Sequence, residues 1–539
     1  MKFRILVLGI VLLAACSPPP SATPATTAAP FPPDPAATVT TATPLAPTAR
    51  PTPPEPTATS QPAGSPVWEP ARCFTTDLRS LSNSGYNLTC GYLVVPEDRR
   101  QPQGRQVKLP VVVFHTPSPD PQPDPVIYLA GGGGFNMLPL VPFYLQLFGD
   151  RILRDRDLVF YNQRGAPLAE PALPCPGYGQ LLYDLAQDGN ATAEEKMAQK
   201  IAFLGACRDD LVAQGIPLEL YDTTTNAADA SDLRIALGYE QANYYGTSYG
   251  TTLGLALLRD HPEGVRSIIL DSVQPPQIAT NSERAPSAYL AFGQLFAACA
   301  ADDDCRQAYP DLEATFYQVI DELNAHPATS TAPGWEVRCD GGIFSEAIYG
   351  MLTIGQADSA PRAIYSAAAG DLQPIDPYIP DILNAISPSS LDAMSAGVFY
   401  SLACREEVPF ESYQDAVAMA ADLPPAIAEH YLFIFPFWKF SLCEAWAIEP
   451  ADPVVKEAVV SDIPALLLAG QFDPITPPKF GRLAAETLSN SFFYEFPNMG
   501  HGVMDSNRCA LEIGLQFLDD PTAEPDASCM AGLAGPNFK

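Results

Sequence analysis

The chain has 539 residues and a formal net charge of −32, with 62 acidic against 30 basic side chains. This surplus of negative charge argues against binding to nucleic acid, because the phosphates would be repelled. It is compatible with cationic ligands, such as the free amino end of a peptide, and also with a merely solvated acidic surface. The length exceeds what one hydrophobic core usually serves, but the ends of the chain do not have a globular composition.

Residues 1–16 have the pattern of a secretory signal. Lys2 and Arg4 precede an apolar run that is too short to span a bilayer stably. The run ends in Leu-Ala-Ala-Cys, which resembles a bacterial lipobox, a motif in which the thiol of Cys16 would be diacylated and become the mature N-terminus. Several acyl chains on one residue would anchor the protein firmly. An ordinary secretory signal with an incidental cysteine is the alternative.

Residues 17–66 form a segment rich in Pro, Thr, Ala and Ser, with almost no charge and few large apolar side chains. Such a composition cannot bury enough surface to offset the entropy of ordering, so it predicts an extended linker. The folded part is expected to begin near Val67. We therefore predict an extracytoplasmic bacterial lipoprotein that is tethered to a membrane, with the membrane face left open.

The 12 cysteines agree with export, because proteins outside the cytoplasm commonly form disulfide bonds. With Cys16 set aside, the spacings suggest five local pairs and leave Cys339 over, although other connectivities stay open. A zinc site is not indicated, since the chain has no Cys-x-x-Cys motif and only five histidines. The suggested pairs are Cys73–Cys90, Cys175–Cys207, Cys299–Cys305, Cys404–Cys443 and Cys509–Cys529.

Strands and helices alternate in the first half of the folded part. The runs GYLVVPED, QVKLPVVVFHT, DPVIYLAGGGG and DRDLVFYNQRG predict strands, and the consecutive apolar residues of the last two are typical of strands covered on both faces. Next, TTNAADASDLRIALGYEQ predicts a helix, ANYYG a strand, SYGTTLGLALLRDH a helix and VRSIILDS a strand. This alternation predicts an α/β fold with a mainly parallel sheet.

The pattern becomes mostly helical over residues 277–455 and returns to alternation after them. There, DIPALLLAGQFDPITP predicts a strand and a loop, KFGRLAAETLSN a helix, SFFYEFPNMGHG a strand and a loop, and ALEIGLQFL a last helix. We therefore predict one sheet domain, formed by residues 67–276 and 456–539, with a helical cap inserted at residues 277–455.

A candidate nucleophile, Ser248, lies in Gly-Thr-Ser-Tyr-Gly, between a predicted strand and a predicted helix. A serine nucleophile needs a base that removes its proton and an acid that orients the base. His501 in NMGHG and Asp473 in QFDP each follow a predicted strand and are the candidates. Their chain order, serine then aspartate then histidine, is that of the strand-to-helix nucleophile elbow. Asp271, at the end of VRSIILD, is the alternative acid.

The tetrahedral intermediate of such a reaction needs backbone N–H donors directed at its oxyanion. Tyr249, the residue after the candidate nucleophile, should supply one. The second should come from the four glycines after the third predicted strand, because glycine lets the backbone approach a substrate without a Cβ in the way. Gly132 is the first candidate and Gly133 the next. A phosphate-binding loop is not indicated, since neither GxGxxG spacing nor a following GK[ST] is present.

These motifs resemble those of the α/β-hydrolase serine peptidases that include proline iminopeptidases and bacterial tripeptidyl aminopeptidases. The resemblance covers most of residues 73–530. It implies an α/β-hydrolase fold, no metal or organic cofactor, a triad of Ser248, Asp473 and His501, and an oxyanion donor at Gly132. The segments that carry it are CGYLVVPED, AGGGG, YNQRGAPLAEPALPC, YYGTSYGTTLG, SIILDSVQPP, CAADDDC, ACREEVPF, FDPITP and MGHG.

Three positions depart from the family pattern. Asn162 replaces the usual Asp before Gln-Arg-Gly, Gly133 replaces Pro in the glycine loop, and Ala166-Pro167 alters the small-residue turn that follows. These positions lie near the oxyanion loop rather than in the triad. The hydrolase interpretation is therefore unaffected, while the substrate class is less determined.

In the family, carboxylates of the cap hold the substrate's α-ammonium, which fixes the distance from the amino end to the cleaved bond. The resemblance assigns this role to Glu406 and Glu407, with a solvated acidic pair as the alternative. We therefore expect a serine aminopeptidase that acts on peptides with a free amino end and releases one residue or a short peptide. The alternatives are a carboxylesterase or lipase-like hydrolase with the same triad, and an inactive binding lipoprotein with the same fold.

Overall fold

The structure, a computed structural model, describes residues 64–188, 191–330, 337–378, 393–433 and 438–538. The predicted signal segment, Cys16 and nearly all of the predicted linker lie outside the described residues. Within the described part, no helix has both the length and the apolar character needed to cross a membrane. The same residues contain no group of three or more His, Cys, Asp or Glu side chains placed to hold a metal ion.

A nine-stranded sheet forms the centre of the described structure. Its strands are β1 (Val67–Pro70), β2 (Leu88–Pro96), β3 (Gln106–Phe114), β4 (Val126–Leu129), β5 (Leu158–Tyr161), β6 (Ala242–Thr247), β7 (Val265–Asp271), β10 (Ala465–Gly470) and β11 (Ser491–Phe496). Their order is β1-β2-β3-β5-β4-β6-β7-β10-β11. The pairings from β1 to β5 are antiparallel, and those from β5 to β11 are parallel.

Helices cover both faces of this sheet, which is why its central strands are apolar on consecutive residues. All residues of β4, β5, β6 and β10 are buried. One core contains Leu233 and Leu257 on one face, and a second core contains Leu145 and Phe517 on the other. The flanking helices are Thr76–Asn83, Val141–Tyr144, Asp150–Ile152, Thr223–Ala236, Tyr249–Asp260, Pro478–Ala485 and Arg508–Asp519.

The cap is the set of helices between β7 and β10, together with a short hairpin of β8 (Ala328–Ser330) and β9 (Val337–Cys339). Its described helices are Arg284–Ala301, Asp303–Ala308, Leu312–Ala325, Gly341–Thr353, Ala360–Ala368, Ala396–Leu402, Tyr413–Ala420, Pro425–Leu432 and Trp438–Trp446. The structure thus confirms the predicted α/β fold, with a mainly parallel sheet and an inserted helical cap. The residue boundaries of the domains stay predictions.

Two helices that precede β6, Tyr178–Gln187 and Ala193–Ala213, pack with the cap rather than on the sheet. Leu204 of the longer helix shares a core with Leu402 and Trp446 of the cap. The sequence pattern did not indicate this arrangement, because a helix's apolar stripe does not say which partner will cover it. The surface above the sheet is therefore built from two separate stretches of the chain.

Five disulfide bonds stabilise the described structure, and they are the pairs that the spacings suggested. Cys339 is free and buried. The bond from Cys404 to Cys443 joins two parts of the cap, next to the predicted substrate-binding carboxylates. Disulfide bonds in this number indicate a protein of an oxidising compartment outside the cytoplasm.

Backbone segments approach one another so closely at the carboxyl edge of the sheet that only glycine fits. A Cβ on Gly250 would lie 2.0 Å from the carbonyl oxygen of Leu129, and one on Gly470 would lie 1.9 Å from that of Gly500. Both neighbours are backbone atoms, which cannot move aside as a flexible side chain would. These contacts hold the helix after β6 against the end of β4, and the end of β10 against the loop after β11.

We expect Gly250→Ala to lower the midpoint of thermal unfolding, because the added methyl group must push the helix Tyr249–Asp260 away from β4. Overpacking of this kind costs about 1–3 kcal/mol. Gly293→Ala is the matched control, since Gly293 lies inside a cap helix and a Cβ there would meet nothing within 4 Å. Alanine is favoured over glycine in a helix by about 1 kcal/mol, so the control should unfold at the same or a higher temperature. An unchanged midpoint in Gly250→Ala would contradict the packing described.

Candidate active site

Ser248 lies at the turn between β6 and the helix Tyr249–Asp260. Its φ of 59° and ψ of −127° are rare for a residue with a Cβ, and such strain costs about 1–3 kcal/mol. The turn is held by hydrogen bonds from Ser248 N to Asp271 O (3.0 Å) and from Thr251 N to Ser248 O (2.8 Å). This strained strand-to-helix turn places the serine at the carboxyl edge of the sheet, as a nucleophile elbow requires.

His501 and Asp473 form a buried pair on two neighbouring loops. His501 Nδ1 lies 2.8 Å from Asp473 Oδ2, and the side chains are 1% and 0% exposed. Asp473 follows β10 and His501 follows β11, and these strands are adjacent and parallel, so their loops begin side by side. The contact holds Nδ1 on the carboxylate and leaves Nε2 as the nitrogen for proton transfer.

Thr476 contacts both members of this pair, and the sequence analysis did not identify it. Its Oγ1 donates to Asp473 Oδ2 over 2.7 Å and lies 3.0 Å from His501 Nδ1. Backbone N–H groups of Ile475 and Thr476 also donate to Asp473 Oδ1. Burial alone would raise the pKa of Asp473, but His501 and these hydrogen bonds hold that pKa below its usual value, so the carboxylate stays ionised. The sequence feature that could have identified Thr476 is the order Asp-Pro-Ile-Thr, which is typical of a turn closed by an aspartate side chain.

Asp271, the alternative acid, binds the backbone of the histidine loop. Its carboxylate accepts hydrogen bonds from Val503 N and Met504 N at 2.8 to 3.0 Å. Burial raises the pKa of Asp271 to about 6. The imidazole of His501 pairs with Asp473 instead, which leaves Asp271 as a support for the loop that carries the histidine.

Ser248 follows β6 and His501 follows β11, two strands that are separated in the sheet by β7 and β10, and the loop that carries His501 reaches back to the end of β7. Ser272, directly after β7, accepts a hydrogen bond at Oγ from Gly502 N over 2.8 Å, and β7 pairs with β6 as far as Thr247. Among the residues that the structure describes, Ser248 Oγ makes no hydrogen bond to His501. Serine–histidine bonds are often long in enzymes without substrate, so the geometry is compatible with the predicted triad.

The glycine loop lies directly against Ser248. A Cβ on Gly131 would be 3.2 Å from Ser248 Cβ, and the loop turns with positive φ at Gly132 (81°) and Gly133 (53°). In the described ranges, the N–H groups of Gly131, Gly132, Gly133 and Tyr249 have no hydrogen-bond acceptor. Unpaired amides beside a nucleophile are what a developing oxyanion needs. The structure therefore brings the predicted donors together and adds Gly131, which the sequence analysis had not singled out.

Gln163 holds the glycine loop from behind. Its Oε1 accepts from Gly134 N and its Nε2 donates to Ala130 O, both over 3.1 Å, so one side-chain amide spans the loop from end to end. Gln163 is almost completely buried, which strengthens both hydrogen bonds. The sequence analysis placed the positions on both sides of Gln-Arg-Gly near the oxyanion loop, but it gave Gln163 itself no role.

At two positions where the chain departs from the family pattern, the residue present fits the local structure and the usual family residue would not. Asn162 is fully buried, and its Oδ1 accepts from Met137 N (2.8 Å) while its Nδ2 donates to Pro167 O (2.7 Å). An ionised aspartate has no proton to donate, so it could not make the second bond. The φ of 53° at Gly133 is closed to proline, whose ring fixes φ near −65°.

Glu406 and Glu407 lie in one turn of the cap and face different partners. Both oxygens of Glu406 accept from Thr223, Oε1 from N over 2.6 Å and Oε2 from Oγ1 over 2.5 Å. Burial, and next the charge of Asp222, raise the pKa of Glu406 to about 7. Glu407 Oε2 lies 3.3 Å from Lys439 Nζ, and 24% of the Glu407 side chain is exposed. Of the two carboxylates, Glu407 is the one that a ligand could still reach.

The chain is similar to several known proteins. A family model described as alpha/beta hydrolase fold matches residues 124–507. The serine protease Hip1 of Mycobacterium tuberculosis (strain ATCC 25618 / H37Rv) is 24% identical over 503 residues, which cover 86% of this chain and 91% of that protein. Tripeptidyl aminopeptidase of Streptomyces lividans is 29% identical over 206 residues, covering 35% and 36%. Among solved structures, proline iminopeptidase of Mycobacterium smegmatis aligns with a TM-score of 0.34 at 15% identity, over 82% of this chain and 98% of that one.

We expect Asp473→Asn to lower kcat for an activated ester by about 10⁴-fold, because an amide would hold His501 in the wrong tautomer. Asp271→Asn is the control, since Asp271 binds backbone amides rather than the imidazole. The control should lower the midpoint of thermal unfolding and reduce kcat far less. Steady-state kinetics and thermal unfolding of both variants check this, and equal losses of kcat would contradict the role given to Asp473.

Proposed function

Because the chain belongs to the α/β-hydrolase fold family and is a serine hydrolase of the peptidase type, we propose that it releases residues or short peptides from the free amino end of peptides. The observation that carries the proposal is the buried pair of His501 and Asp473 beside the strained turn at Ser248. The relatives named serine protease and tripeptidyl aminopeptidase support a peptide as the substrate.

In the proposed reaction, Ser248 Oγ attacks the scissile carbonyl while His501 Nε2 takes the hydroxyl proton. The N–H groups of Tyr249 and Gly132 stabilise the negative charge on the carbonyl oxygen. The C–N bond then breaks, His501 gives its proton to the leaving amine, and an acyl-serine remains. Water attacks this ester with His501 again as base, which releases the carboxylic acid and regenerates Ser248. Asp473 orients the imidazole throughout and stabilises its protonated form.

The charges of the cap support recognition of a free amino end. Burial is the main cause of the raised pKa of both Glu406 and Glu411, and the charge of Glu407 raises both further. A substrate ammonium would reduce this repulsion, and a charge-assisted hydrogen bond would fix its position. Because Glu406 is already bonded to Thr223, we propose that Glu407 holds the ammonium and that Lys439 gives way to it.

We propose further that the folded part is tethered to a membrane by lipid on Cys16 and by the linker of residues 17–66. The disulfide bonds of the folded part support the extracytoplasmic location that such a tether requires. A Pro-rich linker of 50 residues, extended as its composition predicts at about 3.1 Å per residue, would reach up to about 150 Å. The active site could therefore act on peptides well away from the anchor.

We expect the protein to hydrolyse fluorogenic peptides with free amino ends and Ser248→Ala to show no turnover above background. Acetylation of the amino end should lower kcat/KM by tenfold or more, since the loss of a charge-assisted hydrogen bond costs about 1.5–3 kcal/mol. The panel contains Pro- and Ala-terminated peptides that release one to three residues, which also determines the length of the product. The ester p-nitrophenyl butyrate is assayed beside them.

Three outcomes would contradict the proposal. Hydrolysis of the ester without turnover of any peptide would support a carboxylesterase instead. Equal kcat/KM values for free and acetylated peptides would show that the amino end is not recognised. Activity in Ser248→Ala would remove the triad altogether.

We expect Glu407→Gln to raise KM for free-amino peptides by about tenfold or more, because an amide cannot pair with an ammonium as a charge does. KM for the acetylated peptide and for the ester should not change. Glu444→Gln is the matched control, as Glu444 is exposed on the cap helix Trp438–Trp446 and carries the same charge. A similar rise of KM in the control would mean that the net charge of the cap matters rather than Glu407.

A further inference from the structure

Glu406 joins the cap to the core through Thr223, and we call this contact the cap latch. Next to it, Arg405 Nε lies 3.2 Å from Asp222 Oδ2, so two consecutive cap residues bond two consecutive core residues. The disulfide bond of Cys404 fixes the same turn of the cap. Thr223 begins a core helix, and a carboxylate at a helix N-terminus is favoured by the helix dipole. The cap latch is thus well supported on both sides.

The hydroxyl group of Thr223 connects the cap latch with Tyr249. Thr223 Oγ1 lies 2.5 Å from Glu406 Oε2 and 3.1 Å from the hydroxyl oxygen of Tyr249. A threonine hydroxyl has a single proton, and an ionised carboxylate only accepts. While Glu406 is ionised, Thr223 donates to Glu406, and the Tyr249 hydroxyl is then the donor to Thr223. A directed chain of hydrogen bonds runs from the cap to the residue that follows Ser248.

The ring of Tyr249 connects this chain with the glycine loop. A Cβ on Gly133 would lie 3.8 Å from Tyr249 Cδ1 and 2.6 Å from Cδ1 of the cap residue Leu402. Gly133 is therefore enclosed between the tyrosine ring and the cap. Since Tyr249 also contributes its backbone N–H to the proposed oxyanion hole, the orientation of this one residue affects both sides of the hole.

We propose that Glu406 is a positioning residue for catalysis: through Thr223 it fixes Tyr249, and thereby the arrangement of the N–H donors around the oxyanion. The inference rests on the proposed hydrolase function and gives Glu406 a role other than binding the substrate's ammonium. Its consequence is that the oxyanion hole is complete only while this part of the cap is docked. Because the effect acts on the reacting carbonyl, it is the same for every acyl substrate.

The test measures kcat and KM of Glu406→Gln and Thr223→Val with a free-amino peptide, its acetylated form and p-nitrophenyl butyrate. We expect kcat to fall by about tenfold to a hundredfold, by a similar factor for all three substrates and with little change in KM, because displaced donors slow the chemical step. Thr223→Ser keeps the hydroxyl group and should retain most of the wild-type kcat.

Glu411→Gln is the matched control for the general stability of the cap. Glu411 is a second, partly buried cap carboxylate that accepts from a backbone N–H and a hydroxyl group, both of Ser282, over 2.9 and 3.0 Å. Its replacement should lower the midpoint of thermal unfolding without the common loss of kcat. The rate at which a fluorophosphonate labels Ser248 is measured in parallel, and it should fall in Glu406→Gln in proportion to kcat, since phosphonylation uses the same N–H donors.

A rise of KM for the free-amino peptide alone, with kcat unchanged, would overturn the proposal and return Glu406 to ammonium binding. An equal loss of kcat in Glu411→Gln would overturn it too, because the effect would then come from cap stability. If the wild-type protein cleaves the ester but no peptide, the proposed aminopeptidase function is wrong. The ester and labelling rates of the variants then still show whether Glu406 is a positioning residue. A wild-type protein inert toward ester and fluorophosphonate would overturn both.

Discussion

The close approach of backbone segments at the carboxyl edge of the sheet is the constraint on which the rest of the structure depends. Gly250 lies against the end of β4 and Gly470 against the loop after β11, with no room for a Cβ at either place. Contacts between two backbones leave little freedom, so the strand ends keep fixed distances from one another. The serine turn, the aspartate loop and the histidine loop all begin at these strand ends. The strained φ of Ser248 persists because this framework holds the turn from both sides.

A buried ion pair supports the other side of the site. Arg164 has no exposed surface and binds both carboxylate oxygens of Asp229, over 2.6 and 2.8 Å, while its remaining N–H groups reach backbone carbonyls. With four hydrogen bonds to Asp229 and to backbone carbonyls, the guanidinium holds the segment after β5 firmly in place. Gln163 and Asn162 belong to that segment and brace the glycine loop. The geometry of the unpaired amides thus depends on a charge pair that lies outside the site.

The cap contributes to the site rather than merely covering it. Thr353 O accepts from His501 N over 2.7 Å, and Ser395 N donates to Gly134 O over 2.9 Å, so cap backbone binds both the histidine loop and the glycine loop. The cap latch adds a third contact through Tyr249. A substrate that binds between cap and core would therefore meet histidine and glycine loops that are already hydrogen-bonded to the cap. The position of the cap and the arrangement of the core loops are therefore coupled.

Local patterns in the sequence determined the strands and helices of the sheet domain and the order of Ser248, Asp473 and His501, because periodicity and turn residues are properties of short segments. The cysteine spacings suggested the five disulfide pairs, and the structure selected them from the connectivities that were left open. Only the tertiary structure decided which acid pairs with His501, since Asp271 and Asp473 both end strands at the same edge. It also decided that Thr223 binds Glu406 and that the helices Tyr178–Gln187 and Ala193–Ala213 join the cap. The physical reason is that these hydrogen bonds and apolar contacts join segments that are far apart in the chain. Whether two such segments meet depends on how the whole sheet and cap pack.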